Sequence, residues 1–378
     1  MKDLQILDTQ REVINRKAES NGKENLQTKP SKNVEALYNL LEESSKKYKI
    51  FCAINAAVKI GLFDILDSSK TLDELCLELS SNQVITADLC ELLFDVGLLE
   101  KRHNGYMNTE ISNTYLKKGS PFYQEEMIKN LKNSFTLWEN LDQLLINGPL
   151  SLSDQSFFQN NLIHSLAAEM LSGELQKTMN LLWEVPEFRD ARRLLDLGGG
   201  HGLYAIGFCQ QNPELKTFVF DYPNVYHDTA RYIKKFDAKR VHYISGDLFK
   251  DDFGDDYDVV FFSFNPGGKN PKILEKIHKC LRPGGLFITK HAFYSDHVGS
   301  KNKLLDLEWN LTALKGAGKG RHIYQFKGDL YFEDYLALME EFFTVLQIIE
   351  TPEFAGGELS KFGDRLDSKI IISKKKTQ

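Results

Sequence analysis

The sequence predicts an α/β protein built from two parts, and three observations lead to this prediction. After residue 183, five short apolar runs alternate with helix-length segments, which is the pattern of a parallel sheet with helices on both faces. Two further runs, FTVLQIIET and SKIIISKK, are expected to pair antiparallel at the sheet edge. Before residue 183, apolar residues recur at helical spacing. We therefore predict a helical part followed by a seven-stranded, mostly parallel sheet with an antiparallel last strand.

Length and composition exclude several classes of protein. A chain of 378 residues can hold two domains with separate cores. No apolar run approaches the roughly 18 residues needed to span a bilayer, and the charged N-terminus lacks the apolar block of a signal peptide. A net charge of −6 argues against a nucleic-acid partner. Five cysteines without a CxxC pair predict free thiols in a reducing cytoplasm and no cysteine zinc site.

The N-terminal part divides further by composition. Residues 1–32 are polar and without sustained periodicity, which predicts a flexible leader. In the helical domain, residues 33–183, the segment TLDELCLELS begins with Thr71 and Glu74 in the order of a capping box. A second helix follows, and the NG dipeptide of RHNGYM then marks a hairpin. Two short helices followed by a hairpin form a winged-helix pattern.

A glycine-rich loop follows the first predicted strand, in LLDLGGGHGLY. Its spacing is D-x-G-x-G-x-G, formed by Asp196, Gly198, Gly200 and Gly202. Glycines allow the backbone to approach a ligand closely, and the helix that follows presents its N-terminal amides there. A dinucleotide fingerprint would need glycine at position 203, which is Leu. The spacing suits a ligand with an adenosine and an amino acid but no pyrophosphate; a purely structural turn is the alternative.

Further polar residues end the next strands. Asp221 ends the second strand in FVFDYP, where a carboxylate can accept both ribose hydroxyls. Asp247 ends the third strand in SGDLF, where it can accept from an adenine amino group while Leu248 and Phe249 lie against the base. Ser263, at the end of the fourth strand, is assigned to the same cofactor site. Each Asp could instead cap a turn, but features at the ends of successive strands favour ligand binding.

The order LLDLGGGHG, FDYP, SGDLF and LRPGG resembles the S-adenosylmethionine-dependent methyltransferases. The two-part layout, with AINAAVKIGLFDIL and DVGLLEKRHNGYMNTE, is similar to the small-molecule O-methyltransferases that include caffeate, hydroxyindole and polyketide-tailoring enzymes. The resemblance covers roughly residues 34–375. It implies a winged-helix dimerisation domain at 33–183 and a Rossmann-like class I methyltransferase domain at 184–378. It also implies S-adenosylmethionine as cofactor, a homodimer and a small-molecule substrate.

The resemblance assigns roles to the loop and to the acids. The three glycines would border the cofactor, Asp221 would hold the ribose, and Asp247 with Phe249 would frame the adenine. Winged helices elsewhere bind DNA, but in this family they build dimers. Apart from Lys101 and Arg102, residues 90–110 contain no lysine or arginine, so no nucleic-acid partner is expected.

The family's catalytic residues are replaced in this chain. In the family, the fourth strand leads into a Leu-His-Asp-Trp segment whose histidine is the general base. Here that place reads FFSFNPGGKNPKILEKIHKCLRPGG, which is shorter and has no histidine between Tyr257 and Ile277. Two acids flank the histidine in the family, and alignment puts His291 and Gly320 at their positions. All three catalytic positions have therefore changed together.

Four residues near these positions are candidates for chemistry or substrate binding. A phenol with a pKa near ~10 is mostly protonated at neutral pH, so its oxygen needs a base. A histidine can titrate near neutrality, so His291 is the best substitute if it points into the pocket; a satisfied strand-end histidine is the alternative. Asn265 can orient a substrate but cannot act as a base. Trp309 and Asn310 are predicted to line the substrate pocket, with a plain core Trp as the alternative.

The sequence leaves three functions open. The leading hypothesis is a homodimeric methyltransferase that acts on a small molecule such as a specialised metabolite, with the altered base tolerated where the acceptor is already nucleophilic. The second is an enzyme that keeps the cofactor for a rearrangement or cyclisation without methyl transfer. The third is a ligand-binding regulatory dimer without turnover. No metal site is expected, since HAFYSDH lacks the spacing of a binding motif.

Overall fold

The computed structural model describes residues 29–153, 162–265, 267–295, 300, 302–315, 318–350 and 368–377. Most of the predicted leader and the segment that joins the last two sheet strands lie outside these residues. The chain divides into two compact units, Met1–Ala56 and Ala57–Gln378. The domain boundaries expected after residues 32 and 183 stay predictions.

Helices dominate the described chain up to residue 183, as the periodicity predicted. They are α1 Glu35–Lys59, α2 Leu72–Leu79, α3 Gln83–Asp95, α4 Glu110–Tyr115, α5 Glu125–Glu139, α6 Leu141–Asn147, α7 Leu162–Leu171 and α8 Glu174–Trp183. Helix α2 begins with the predicted capping box. The Thr71 side chain accepts from the Glu74 amide, and the Glu74 carboxylate accepts from the Thr71 amide at 2.7 Å.

The predicted hairpin follows α3. Strand β1, Leu99–Arg102, pairs antiparallel with β2, Gly105–Asn108. Both turn residues, His103 and Asn104, have positive φ angles of 49° and 68°, as in the type I′ turn that suits the twist of a hairpin. The elements on which the winged-helix prediction rests are therefore present in the expected order, but the winged-helix assignment itself stays a prediction.

The strands of the second half form a seven-stranded mixed sheet. The further strands are β3 Leu150–Ser153, β4 Arg193–Leu197, β5 Lys216–Asp221, β6 Val241–Ser245, β7 Tyr257–Ser263, β8 Leu281–Ala292, β9 Thr312–Lys315, β10 Phe343–Glu350 and β11 Ser368–Lys375. The sheet order is β10-β11-β8-β7-β4-β5-β6. Strands β8, β7, β4, β5 and β6 are parallel, and β11 is antiparallel to both β8 and β10. The predicted topology is confirmed. The parallel pairing of β3 with β9 was not predicted.

Helices cover both faces of this sheet. They are α9 Pro186–Arg189, α10 Leu203–Gln211, α11 Tyr226–Lys235, α12 Pro271–Cys280, α13 Lys303–Asn310 and α14 Phe332–Phe342. Central strand β7 is buried on both faces and is therefore apolar almost throughout. Because β4 to β8 are parallel, their carboxyl ends meet at one edge of the sheet, where such folds bind ligands.

Two further observations concern the chain as a whole. All five cysteines are free thiols, as the odd number and their spacing predicted. Among the described residues, no helix is both long and apolar enough to cross a membrane.

Candidate active site

The glycine loop connects β4 to α10 in a conformation that favours glycine. Gly198, Gly200 and Gly202 have positive φ angles of 63°, 54° and 72°, which L side chains rarely adopt. The Gly198 amide donates to the Phe220 carbonyl at 2.7 Å, which holds the loop against β5. A Cβ atom added at Gly200 would meet no atom within 4 Å, so the backbone there borders open space. A ligand can approach the loop at this point.

Asp196 supports the loop from the strand that precedes it. Its side chain is buried, and a Cβ atom at Gly199 would lie 2.6 Å from its Oδ2. Burial raises the pKa of Asp196 to about 7, an effect that the nearby Asp221 carboxylate reinforces and a backbone hydrogen bond at Ala205 opposes. The loop therefore rests on a carboxyl group that is partly protonated at neutral pH.

Asp221 lies at the end of β5 and is bonded to the loop. Its Oδ2 accepts from the Gly200 amide at 2.9 Å, and its Oδ1 accepts from the Tyr222 amide at 2.7 Å. Burial raises its pKa to about 6 despite these two hydrogen bonds. A carboxylate oxygen has room for a second donor, so Asp221 can accept from the hydroxyls of a ribose while it holds the loop.

The residues after β6 form the next part of the same edge. Asp247 accepts from the Phe249 amide at 2.8 Å and from the Lys250 ammonium at 2.7 Å. Burial acts to raise the pKa of Asp247, but Lys250 and the backbone donors outweigh it and the pKa is lowered. Leu248 is buried in the core, whereas the Phe249 side chain is 48% exposed. Phe249 is thus an accessible aromatic surface beside the turn after β7, where a Cβ atom at Gly267 would lie 2.8 Å from its ring.

Asn265 stands in the turn after β7 and contacts the glycine loop directly. Its Nδ2 donates to the Gly198 carbonyl at 2.5 Å. A Cβ atom at Gly198 would collide with this amide, so glycine is required there by packing as well as by φ. Ser263, two residues earlier, is half-buried and pairs in register with Lys290 of β8. The structure therefore brings Asn265 into contact with the glycine loop.

His291 lies at the end of β8 inside an aromatic box. Its ring meets the rings of Phe262, Phe264 and Phe293 at centroid distances of 5.2, 6.2 and 6.1 Å, and Gly268 lies against it so closely that a Cβ atom there would collide with the imidazole. The ring is 3% exposed, and its Nε2 has no hydrogen-bond partner among the described residues. Burial, and then the Lys269 ammonium, hold the pKa of His291 well below its usual range. The ring is neutral at physiological pH.

The two residues predicted to line the substrate pocket have different surroundings. Trp309 is buried with Leu305, Ile323 and Phe326, and its Nε1 donates to the Gly320 carbonyl at 3.2 Å. Asn310 is exposed, and its Nδ2 donates to the carbonyls of Asp306 and Arg321 at 2.7 and 2.8 Å. Both therefore connect α13 to the loop at 318–331.

Two buried lysines near this edge were not anticipated from the sequence. Lys269 donates to the Ala292 and Tyr324 carbonyls at 2.8 and 3.0 Å and pairs with the Asp329 carboxylate at 3.5 Å. Lys290 is fully buried and donates to the side chains of Glu174, Thr178 and Tyr204. A lysine inside the apolar run FITKHAF was the available signal for the second. Among the described residues, no group of three or more His, Cys, Asp or Glu could hold a metal ion.

Together, the parallel sheet, the glycine loop and the acid at the end of β5 define a Rossmann-like domain that binds a nucleoside-containing ligand. Comparison with known protein families identifies its class. Residues 162–329 match the O-methyltransferase domain, and residues 43–118 match the O-methyltransferase dimerisation domain. The chain belongs to the S-adenosylmethionine-dependent O-methyltransferase family. The predicted family, enzyme class and cofactor are confirmed.

Relatives and solved structures agree with this assignment. The chain is 38% identical over 372 residues to uncharacterized protein MJ0086 of Methanocaldococcus jannaschii, covering 92% of this chain and 98% of that protein. It is 24% identical to acetylserotonin O-methyltransferase of Bos taurus, over 71% of this chain and 84% of that one. The fold matches the human N-acetylserotonin methyltransferase in complex with S-adenosylmethionine, with a TM-score of 0.66 at 19% identity over 93% of this chain and 100% of that one.

Proposed function

We propose that this protein transfers a methyl group from S-adenosylmethionine to a hydroxyl oxygen on a small aromatic molecule. The relatives named as enzymes suggest the class of acceptor. One acts on acetylserotonin, and another, from Streptomyces sahachiroi, is a 3-hydroxy-5-methyl-1-naphthoate 3-O-methyltransferase that is 25% identical over 64% of this chain and 74% of that one. Both names denote a hydroxyl on a fused bicyclic ring. We expect the acceptor here to be of this chemical kind.

The observation on which this proposal depends is the hydrogen bond between the Gly200 amide and the Asp221 carboxylate. It brings together two of the places that a nucleoside with an amino-acid tail needs: the open backbone at Gly200 suits the amino-acid part, and Asp221 suits the ribose. Asp247 and the exposed Phe249, after the next strand, are proposed for the adenine. These are the kinds of groups that would hold S-adenosylmethionine.

Bound S-adenosylmethionine supplies an electrophilic methyl group: the acceptor lone pair forms the new bond while the carbon–sulfur pair stays on sulfur, giving S-adenosylhomocysteine. The protein must position the acceptor oxygen in line, and orientation of this kind supplies much of the catalysis. Asn265 is proposed to hold the loop that faces the cofactor. Trp309 and Asn310 remain the proposed substrate-facing pair on α13.

The sequence proposed His291 as the base, and the surroundings of its ring bear on that role. A buried ring boxed by three phenylalanines, with its pKa lowered, fits a packed histidine better than a proton acceptor. Replacement of His291 by Ala decides between these roles. A methyl-transfer rate that loses its pH dependence would establish the base, and an unchanged rate across pH would establish the packing role.

The proposed function is tested with S-adenosylmethionine that carries a labelled methyl group. Purified protein is incubated with N-acetylserotonin, with 3-hydroxy-1-naphthoate and with an extract of its source cells, and products are analysed by mass spectrometry. We expect a labelled small molecule and an equal amount of S-adenosylhomocysteine. Cofactor that binds but is never consumed would contradict the proposal.

A further inference from the structure

We propose that His322 is the proton acceptor for the substrate hydroxyl and that Asp306 is its positioning residue. The inference rests on the proposed function, because a base is needed only if the acceptor is a protonated hydroxyl. It concerns two side chains to which the sequence gave no role, one in the loop at 318–331 and one on helix α13.

The two side chains form a hydrogen-bonded pair. His322 Nδ1 lies 3.1 Å from Asp306 Oδ2, and the side chains are 13% and 11% exposed. A carboxylate can only accept, so this contact places the proton on Nδ1 and leaves Nε2 with a lone pair. The Ser300 amide also points at Nδ1, from 3.4 Å, but a protonated Nδ1 cannot accept from it, so the shorter contact with the carboxylate decides the tautomer. The pair thus has the tautomer that a general base requires.

Asp306 is itself held in place. Its Oδ1 accepts from the Ile323 amide at 3.0 Å, which ties the carboxylate to the residue that follows the histidine. Helix α13 is capped by Asn302, whose side chain accepts from the Leu305 amide at 3.0 Å. Base, orienting carboxylate and loop backbone are therefore fixed relative to one another, the arrangement that proton transfer by a positioned side chain requires.

The pair lies beside the candidate substrate region. His322 follows Gly320 by two residues, and Gly320 accepts from the Trp309 indole. The His322 ring packs on Tyr294, just beyond the end of β8, at a centroid distance of 5.2 Å. Ring contacts at 5.9 and 5.4 Å then lead from Trp309 through Tyr324 to Phe264, the neighbour of Asn265. An aromatic wall thus connects the dyad to the turn that touches the cofactor loop.

A second histidine–carboxylate pair in the chain shows what sets this one apart. His164 Nε2 lies 3.1 Å from Asp228, but its Nδ1 contacts the Tyr232 hydroxyl at 3.0 Å. Both nitrogens of His164 are therefore occupied. The imidazole ring of His322 makes its hydrogen bonds within the described chain through Nδ1, so Nε2 can receive a substrate proton. His164 supplies a matched control.

In the proposed step, His322 Nε2 takes the hydroxyl proton while the acceptor oxygen forms its bond to the methyl carbon. The electron pair of the old bond leaves with sulfur, and the imidazolium then returns its proton to solvent. Among the elements in contact with His322, Asp306 and Tyr294 face the ring directly. The other charged or titratable groups on α13, the loop at 318–331 and β8 are Lys303, Glu308, Lys319, Arg321, Tyr324, Lys327, Asp329, Tyr331, Arg282, Lys290 and His291.

The test uses variants that keep the packing. In His322→Asn the side-chain amide nitrogen takes the place of Nδ1 and still donates to Asp306, but no proton acceptor remains at Nε2. In Asp306→Asn the side-chain oxygen still accepts from the Ile323 amide, while the charge that orients His322 is lost. His164→Asn is the control. Binding of S-adenosylhomocysteine and the melting temperature are measured first in every variant.

With the acceptor from the labelling experiment, His322→Asn should lower kcat by about 100-fold or more and remove the rise of kcat with pH. Asp306→Asn should lower kcat by about tenfold, and His164→Asn should keep the shape of the pH profile. A readout without turnover uses 4-nitrophenol bound together with S-adenosylhomocysteine. Because His322 would accept the phenol proton, the absorbance of 4-nitrophenolate should appear at lower pH in the wild-type protein than in His322→Asn.

Two outcomes would overturn the inference in distinguishable ways. If the wild-type protein is active and His322→Asn has the same kcat, pH profile and phenolate absorbance, the dyad is structural and the proposed function stands. If the wild-type protein forms no S-adenosylhomocysteine with any acceptor, the proposed function fails and the dyad assignment falls with it.

Discussion

At the residue scale, hydrogen bonds from two directions hold the glycine loop in place. Asn265 donates to Gly198 from one side, and Asp221 accepts from Gly200 on the other. The Asn265 side-chain amide supplies the donor that the Gly198 carbonyl needs, and the Asp221 carboxylate supplies the acceptor that the Gly200 amide needs. Both contacts therefore give testable consequences for cofactor binding.

Replacement of Asn265 by Asp should weaken S-adenosylhomocysteine binding about tenfold or more, because a carboxylate cannot donate to the Gly198 carbonyl and would repel it. Asn265→Ala should weaken binding less, since it removes the donor without adding charge. Isothermal titration calorimetry measures both. Asn140→Ala, which removes an exposed amide bonded within α5 to Thr136, serves as control. Wild-type affinity in Asn265→Asp would contradict the assigned role.

Cofactor affinity should also depend on pH through Asp221. Its pKa is raised to about 6 by burial, so the carboxylate becomes protonated and loses acceptor capacity as pH falls below that value. Wild-type affinity for S-adenosylhomocysteine should therefore decrease between pH 7 and pH 5. Asp221→Asn should bind more weakly at pH 7 and with a flatter pH profile, whereas the exposed Asp255→Asn should behave as wild type. Parallel profiles in all three proteins would exclude Asp221 as the titrating group.

The same raised pKa has a consequence for stability. A carboxyl group whose pKa is higher in the folded than in the unfolded chain binds more protons when folded, so its contribution to stability falls as pH rises from about 4 to about 6. In the protein without cofactor, the ionised Asp221 carboxylate therefore lowers the free energy of unfolding at neutral pH. Between pH 4 and pH 6 the melting temperature should therefore change less favourably with rising pH in the wild type than in Asp221→Asn, which keeps only one of the two amide hydrogen bonds but does not titrate.

At the scale of elements, the turn after β7 is fastened to the loop at 318–331. Leu330 donates its amide to the Lys269 carbonyl at 3.0 Å, and the Lys269 ammonium pairs with Asp329 inside the protein. Burial lowers the pKa of Lys269 and raises the pKa of Asp329, because it disfavours both charges. Each charge stabilises the other, so both can stay ionised only as a pair. The turn after β7 is thus fixed to this loop by one backbone hydrogen bond and one buried ion pair.

Breaking this pair from one side should destabilise the protein more than removing it altogether. Lys269→Met leaves an uncompensated buried carboxylate and should cost about 3–5 kcal/mol in the free energy of unfolding. The double variant Lys269→Met, Asp329→Asn should recover at least half of that loss. Urea denaturation of the two single variants and the double variant measures the coupling. Additive losses would show that the two side chains act independently.

At the scale of the whole molecule, the dimerisation domain at 43–118 leads us to propose a homodimer. Helix α1 supports this, because apolar side chains along it are exposed in the single chain; they are Leu37, Tyr38, Leu40, Leu41 and Tyr48. Leu40, for example, is 63% exposed. A helix with such a surface buries it against a partner in a stable protein.

Light scattering should give a mass of twice the 43.3 kDa of one chain. The double substitution Leu37→Glu, Leu41→Glu should shift the mass toward a single chain, because burial of two carboxylates in an apolar interface is unfavourable. The matched surface variant Lys239→Glu, on an exposed residue of the methyltransferase part, should remain dimeric. A wild-type protein with the mass of one chain would refute the homodimer.

The sequence by itself determined where the sheet strands lie along the chain, where the glycine loop lies, and which acids follow it. These features are local: strand periodicity and the need for glycine at positive φ are properties of short segments. Tertiary structure alone decided the pairing of β3 with β9, the ion pair between Lys269 and Asp329, and the contact of Asn265 with Gly198. It also buried His291 and joined His322 to Asp306. The partners in these contacts lie far apart in the chain, and only the packing of elements brings their polar groups within bonding distance.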